Sequence, residues 1–252
     1  MARRGIFLAP FEALADARVL ARLAARAEQA GWDGFFLWDH VDYRAPVHAL
    51  ADPWVSLAAI ACATERIVIG PLVTPPARRR IHKLARETVT LDRLSGGRLV
   101  FGAGLGSDNS GEFSKFGEVA DARERAALLD DGLHRLAAYW AGEFEPRPLQ
   151  QPRIPVWLAA RWPNRRPVRR ALEWDGLFPI DLPDADALAE LTGEVRAARS
   201  GDDRPFEIVV TNPAGTDPAP WEAAGATWCL TGFGPQPELA EVEAAIDDGS
   251  ST

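Results

Sequence analysis

Residues 67–105 read IVIGPLVTPPARRRIHKLARETVTLDRLSGGRLVFGAGL, and the fold can be built outward from this stretch. Two short apolar runs, 67–73 and 99–105, flank a segment in which Ile81, Leu84, Ala85 and Thr88 recur at helical spacing. Ser95-Gly96-Gly97 supplies the stop signal of that helix. Neither apolar run alternates with polar residues, so each reads as a strand covered on both faces, as in parallel sheets. The unit is strand, crossover helix, parallel strand.

The same unit repeats in both directions. Toward the N-terminus, strands are expected over 5–9 (GIFLA) and 34–39 (GFFLWD). Between them lies a helix with Leu20, Leu23, Ala24 and Ala27 on one face, ended by Gly31. Asp52 and Pro53 have the chemistry of an N-cap and first helical residue, opening a helix through Thr64. Toward the C-terminus, Asp121 and Glu124 resemble a capping box ahead of Leu128, Leu129, Leu133, Leu136 and Trp140. Strands follow over 155–160, 176–180, 207–211 and 227–231. Helices are expected from near Pro163, over 184–199 and over 238–247, with only a short segment at 218–224. Eight strand–helix units favour a closed, compact (β/α)8 TIM barrel over an open doubly wound sheet. A single domain is expected over 1–247, with 248–252 as a frayed tail.

Composition fits this reading and removes other classes. With 252 residues, 47% of them hydrophobic and 25% charged, the chain is neither disordered nor a disulfide scaffold. A net charge of −8 argues against nucleic acid as the main partner. No window offers the run of about 20 apolar residues that spans a bilayer, and the start lacks a secretory pattern, so a cytoplasmic protein without a membrane partner is expected. Cys62 and Cys229 each sit in an apolar run and read as two buried free thiols.

Barrel chemistry lies at the C-terminal ends of the strands. Here those ends read Pro10-Phe11, Asp39-His40, Thr74-Pro75-Pro76, Gly104-Leu105-Gly106-Ser107, Ala160-Arg161-Trp162, Pro179-Ile180-Asp181, Thr211-Asn212 and Gly232-Phe233. Small and apolar residues dominate, which suits a flat organic cofactor. A metal centre is not expected: Asp39, His40 and Asp181 are the only ligand types at strand ends, and neighbours on a strand face opposite sides. His40 is open to two readings, a loop hydrogen bond or a proton donor and acceptor beside a bound ring. His82 and His134 fall within helices and read as structural. The glycines of strand four serve either close strand packing or close approach of a planar ring. Ala159, Ala160, Arg161 and Trp162 lead from a strand into a helix N-terminus, a candidate anion site. Arg78, Arg79 and Arg80 read as a solvated run that could reach an acidic ligand tail.

Several stretches together resemble the bacterial luciferase-like family of flavin or deazaflavin oxidoreductases. They are GWDGFFLWDH (31–40), DPWVSLAAIACATERIVIGPLVTPPARRR (52–80), HKLARETVTLDRLSGGRLVFGAGLG (82–106), EFSKFGE (112–118) and QQPRIPVWLAA (150–160). The resemblance is good to about residue 180 and weak beyond. It implies a barrel that binds coenzyme F-420, or alternatively FMN, with the ring over the strand ends. It also implies a non-prolyl cis peptide near Pro71-Leu72-Val73. The Asp39-His40 pair resembles the F-420-using branch, where it contacts the deazaflavin and assists proton transfer. Asp39 and His40 are thus the candidate catalytic residues. Candidate cofactor contacts are Asp39, then Leu72, Val73 and Thr74, then Leu105, Gly106 and Ser107, then Ala159, Ala160, Arg161 and Trp162, and finally Pro179.

Two departures bear on substrate. The F-420 sugar-phosphate dehydrogenases carry a glutamate where this chain has Ser107, and a tryptophan where it has Arg44. The chain is also shorter than typical members between Glu143 and Pro152 and beyond Asp181, which implies reduced loops and a more open pocket. The expected function is hydride transfer between F-420 and a small organic substrate. The competing readings are an FMN-dependent monooxygenase, a non-catalytic flavin-binding barrel, and an unrelated barrel hydrolase or isomerase. Relatives commonly pair, so a homodimer is one expected assembly.

Overall fold

A computed structural model describes residues 1–249 of the chain. Eight parallel strands run β1 (Arg3–Leu8), β2 (Gly34–Leu37), β3 (Val68–Pro71), β4 (Phe101–Ala103), β5 (Val156–Arg161), β6 (Gly176–Ile180), β7 (Glu207–Pro213) and β8 (Trp228–Gly232). The helices between and after them are α1 (Ala17–Gln29), α2 (Pro53–Ala63), α3 (Ile81–Leu94), α4 (Ala122–Ala138), α5 (Arg165–Ala171), α6 (Ala185–Ala198), α7 (Ala219–Ala223) and α8 (Leu239–Asp247). The sheet order is β3-β2-β1-β8-β7-β6-β5-β4. Its two ends meet through the pairs Ile69–Leu99 and Thr74–Ala103, which close the (β/α)8 barrel. At this seam Val100 N donates to Ile69 O at 2.8 Å and Thr74 N to Gly102 O at 2.9 Å. Glycine is required here, because a Cβ on Gly102 would lie 2.1 Å from the Pro71 carbonyl oxygen.

The caps expected at Asp52 and Asp121 are present, and Asp184 adds a third. Asp52, Asp121 and Asp184 accept from the first-turn N–H groups of α2, α4 and α6, with Pro53 opening α2. Strand four is shorter than its apolar run. Leu99 and Val100 are spent on the seam, and the chain beyond Ala103 leaves the sheet for a long loop. Asp248 is the C-cap of α8, and residues 250–252 of the tail expected over 248–252 lie outside the described residues.

Two layers of core follow from strand alternation. Outward residues such as Ile6, Phe35, Ile69, Phe101 and Leu158 pack under the helices. Inward residues Phe7, Phe36, Leu72, Val100, Trp157, Phe178, Val209, Trp228 and Leu230 fill the barrel. Phe36, Trp157 and Trp228 sit within 5.5–5.6 Å of one another, with Phe36 and Trp228 edge to face. Gly34 makes room for them: a Cβ there would meet Phe36 at 2.5 Å and Trp228 at 2.7 Å. The barrel floor is therefore a solid aromatic plug, and any ligand must sit above it.

The cysteine reading holds for one of the two residues. Cys62 is exposed, because α2 turns Trp54, Leu57, Ile60 and Ala61 inward and carries Cys62 to the opposite side. Cys229 is buried in β8, and burial pushes its thiol up to about 11. Among the described residues no helix is long and apolar enough to cross a membrane.

Candidate active site

The chain leaves β2 through Trp38, Asp39 and His40, whose side chains alternate across the strand direction. Asp39 turns away from the barrel mouth and is completely enclosed. Its carboxylate accepts from Arg78 Nη2 at 2.8 Å, from Arg79 Nη2 at 2.8 and 2.9 Å, from Trp54 Nε1 at 3.2 Å and from the Thr74 hydroxyl. The two guanidiniums are themselves only 6% and 17% exposed. This corrects the reading of the arginine run as solvated: only Arg80 is exposed. Arg78 and Arg79 lie in and just after a 3-10 turn that starts at Pro76, and the turn folds them back under the β2 loop.

His40 faces the other way and is 24% exposed. Its Nδ1 lies 2.7 Å from Glu112 Oε2. Glu112 comes from the loop after β4 and is 2% exposed; its Oε1 accepts from Val41 N at 2.8 Å and Arg78 Nη1 at 2.9 Å. Burial pushes the Glu112 carboxyl up. The hydrogen bond and charge of His40, the Val41 N–H and the charge of Arg78 outweigh burial and hold it below its ordinary value of 4.5. An ionised carboxylate only accepts, so Nδ1 carries the proton and Nε2 is left for chemistry. Nε2 has no hydrogen-bond partner among the described residues. Phe11, Trp38 and Tyr43 surround the imidazole at centroid distances of 5.8, 5.8 and 5.0 Å.

Next to His40, the mouth has an apolar floor. Trp38, Val73, Ala159 and Ile180 are half-buried, resting on the aromatic plug below. Gly104 lies between Val73 and Ala159, where a Cβ would meet them at 2.6 and 3.3 Å. The Leu72–Val73 peptide is cis, at the place the resemblance implied. Leu105, Gly106 and Ser107 are half-buried beside it, and Gly106 has φ +71° against the Phe113 ring. This surface fits a planar conjugated ring: it is apolar, only partly covered, kept low by Gly104 and Ala159, and the buried Trp38 Nε1 at its edge has no partner among the described residues.

Other predicted residues are placed differently. Thr74 is fully buried and its hydroxyl serves Asp39, while Leu72, Ala160 and Pro179 are buried. The expected anion site is largely neutralised. Arg161 is exposed and paired with Asp181, Arg165 with Glu190 and Glu194, and Arg170 with Asp130. The first turn of α5 is already capped by Asn164, which accepts from Arg166 N, and the Arg165 guanidinium covers the half-buried Trp162 ring at 4.2 Å. His134 Nδ1 bonds the Asp130 carbonyl of its own helix, consistent with a structural residue.

Glu112, the buried partner of His40, is the candidate that residue-by-residue reading passed over. Its signal is the first of the two acidic residues in EFSKFGE, downstream of the glycine-rich strand. Sequence distance hid it, because 72 residues separate it from His40.

Comparison with known proteins agrees with this architecture. The model of the luciferase-like monooxygenase family matches residues 3–233. An uncharacterised protein of Mycobacterium tuberculosis is 32% identical over 200 residues, covering 72% of this chain and 69% of that protein. An F-420-dependent glucose-6-phosphate dehydrogenase of Beutenbergia cavernae is 35% identical over 133 residues, covering 50% of this chain and 38% of that protein. The oxygenase component of a flavin-dependent trigonelline monooxygenase of Acinetobacter baylyi is 31% identical over 128 residues, covering 45% and 35%. Among solved structures, an F-420-dependent secondary alcohol dehydrogenase in complex with an F-420–acetone adduct superposes with a TM-score of 0.79 at 16% identity, covering 98% of this chain and 96% of that one. The last is a likeness of fold. With a family match that runs from β1 through β8, the chain belongs to the luciferase-like monooxygenase family.

Proposed function

We propose that this protein is an F-420-dependent oxidoreductase that moves a hydride between the deazaflavin and a small organic substrate, with His40 as acid and base. The observation that carries the reading is the 2.7 Å contact between His40 Nδ1 and the buried Glu112, beside an apolar floor at the barrel mouth. Similarity to an F-420-dependent dehydrogenase over 133 residues, together with the Asp39-His40 pair, supports the deazaflavin reading. Val73, Ala159, Ile180 and Trp38 would carry the ring, with Leu105, Gly106 and Ser107 along its edge. When bound, the deazaflavin supplies the hydride-accepting or hydride-donating centre.

Each remaining task falls to the chain's own side chains. His40 Nε2 takes the proton of a substrate hydroxyl during oxidation, or returns one to a carbonyl oxygen during reduction. Glu112 holds the tautomer that leaves Nε2 free and stabilises the imidazolium formed in the first case. Asp39 acts through the arginines and not on substrate. It holds Arg78 and Arg79, and Arg78 holds Glu112. The apolar floor excludes water from the reacting face. An FMN-dependent monooxygenase is the second reading, supported by the flavin-dependent relative in the same family. Titration with each cofactor separates the two. Saturable binding of F-420, with substrate-dependent change in its absorbance, is expected; saturable micromolar binding of FMN with none of F-420 would reverse the assignment.

A further inference from the structure

The loop after β4 is organised around one ring. Phe113 follows Glu112 directly in the chain and is fully buried. Its N–H donates to Asp108 Oδ1 at 2.8 Å, and its carbonyl accepts from Phe116 N at 3.2 Å and Glu118 N at 2.9 Å, so the peptides on both sides of it are pinned. The ring tip lies against Gly106, where a Cβ would come within 2.7 Å of Phe113 Cζ. Two guanidiniums lie over the same ring: Arg125 at 4.5 Å, and Arg78, which bonds Glu112, at 5.9 Å.

Arg125 is the member of this group that ion pairing does not explain. It stands in the first turn of α4, is 5% exposed, and forms no ion pair among the described residues. Its Nη1 donates to the Ala120 carbonyl at 2.6 Å, and its buried Nε has no partner among the described residues. Arg78 and Arg79, by contrast, each meet a carboxylate. A buried cation without a counter-ion loses hydration that an apolar side chain of the same size would not. Filling space therefore does not account for a guanidinium here. What it adds is direction, because a planar cation over an aromatic face favours one setting of the ring, whereas methyl contacts leave it free to tilt. Asp108, whose carboxylate pins the Phe113 N–H, feels the same charge: the Phe113 and Ser114 N–H groups, helped by Arg125, hold its carboxyl below the ordinary 3.8. We propose that Arg125 is a positioning residue for the candidate site, which through the Phe113 ring holds Glu112 against His40 and the Gly106 turn along the edge of the apolar floor. Its effect on turnover rests on the redox reading above, while its effect on His40 does not.

The 15N spectrum of His40 in the full chain without cofactor tests the proposal. Arg125→Met keeps the length of the side chain without its charge or plane, and Phe113→Leu removes the ring. Both should raise the Nε2–H tautomer of His40 to about a tenth or more of the population. Arg125→Lys, which restores a cation over the ring, should return most of the parent form. Leu188→Ala in α6 is the control: it removes buried packing away from the β4 loop and should lower stability with the parent spectrum intact. Parent spectra in the folded Arg125→Met and Phe113→Leu chains, the same mixing in Leu188→Ala, or no recovery in Arg125→Lys would overturn the positioning role. Should one of the first two variants fail to fold, the other decides. F-420 titration of the parent keeps the two ideas apart. If the parent binds no F-420 while the variants mix tautomers, the redox reading falls and the positioning of His40 stands. If it binds F-420 while the variants keep the parent spectrum, the reverse holds.

Discussion

The two sides of the barrel mouth are built on different physics. On the β2–β3–β4 side, Asp39, Arg78, Arg79 and Glu112 form a balanced cluster of two negative and two positive groups, every one of them under 20% exposed. It ties three separate loops together and ends on His40. On the β5–β6–β7 side, the ion pair at the strand ends, Arg161–Asp181, is 64% and 54% exposed, and the sheet ladder is cut short. Buried charge pairs fix geometry because any other arrangement strands an ion in low dielectric. Exposed pairs and short ladders leave a wall free to vary. On the function proposed above, the first side fixes the reaction geometry, while the second is the wall that tolerates change.

The sharpest way to break that comparison is Asp39→Ala. It leaves Arg79 without a carboxylate and Arg78 with only Glu112, since Asp39 is the acceptor of both. Removing one partner from such a buried pair costs about 3–5 kcal/mol. Urea denaturation should show a midpoint shift of that size, and an effect under about 1 kcal/mol, the range of surface pairs, would deny the cluster its structural role.

His40→Ala is expected next. Turnover should fall by about 10²-fold or more, equivalent to roughly 2.7 kcal/mol, with F-420 affinity kept within about tenfold. Unchanged turnover would remove His40 from the mechanism. The place of this residue at a strand end was legible from the barrel pattern, while its candidate role came with the family resemblance; the barrel itself was legible because eight unalternating apolar runs leave few other architectures. The partner of His40 was not. Hydrophobic period says where strands and helices lie, but a charged residue in a loop carries no period, and Glu112 becomes informative only when the β4 loop is laid over the β2 loop. The arginine run was misread for the same reason: charge alone predicts solvent, and only the fold supplies the buried carboxylates that draw Arg78 and Arg79 inward.

Glu112→Gln sharpens the same side with a smaller effect. The amide can still meet Nδ1, but it can donate as well as accept and no longer stabilises an imidazolium. A turnover loss of about tenfold is expected, together with mixed tautomers of His40 in its 15N spectrum, where the parent should show the Nδ1–H form alone. The pH dependence follows in sign. The folded carboxyl lies below its ordinary value of 4.5, so its stabilising contribution is complete above that value and is lost as pH falls through the folded one. Acid unfolding monitored by circular dichroism should therefore lose part of its pH dependence in Glu112→Gln, and an unaltered acid transition would contradict the buried ionised state.

The smallest effect should come from Arg161→Ala, on the opposite side. The parent pair places both charges in water for more than half of their side-chain surface, so Coulomb attraction is screened and the ordering of two long side chains offsets much of it. Arg161 occupies the last position of β5, where its backbone pairs with Ile180, and alanine keeps that pairing. The expected loss of stability is about 0–1 kcal/mol, shrinking further in high salt. A loss as large as that of Asp39→Ala would mean that this wall is held as firmly as the one opposite, and the contrast between the two sides of the mouth would fall.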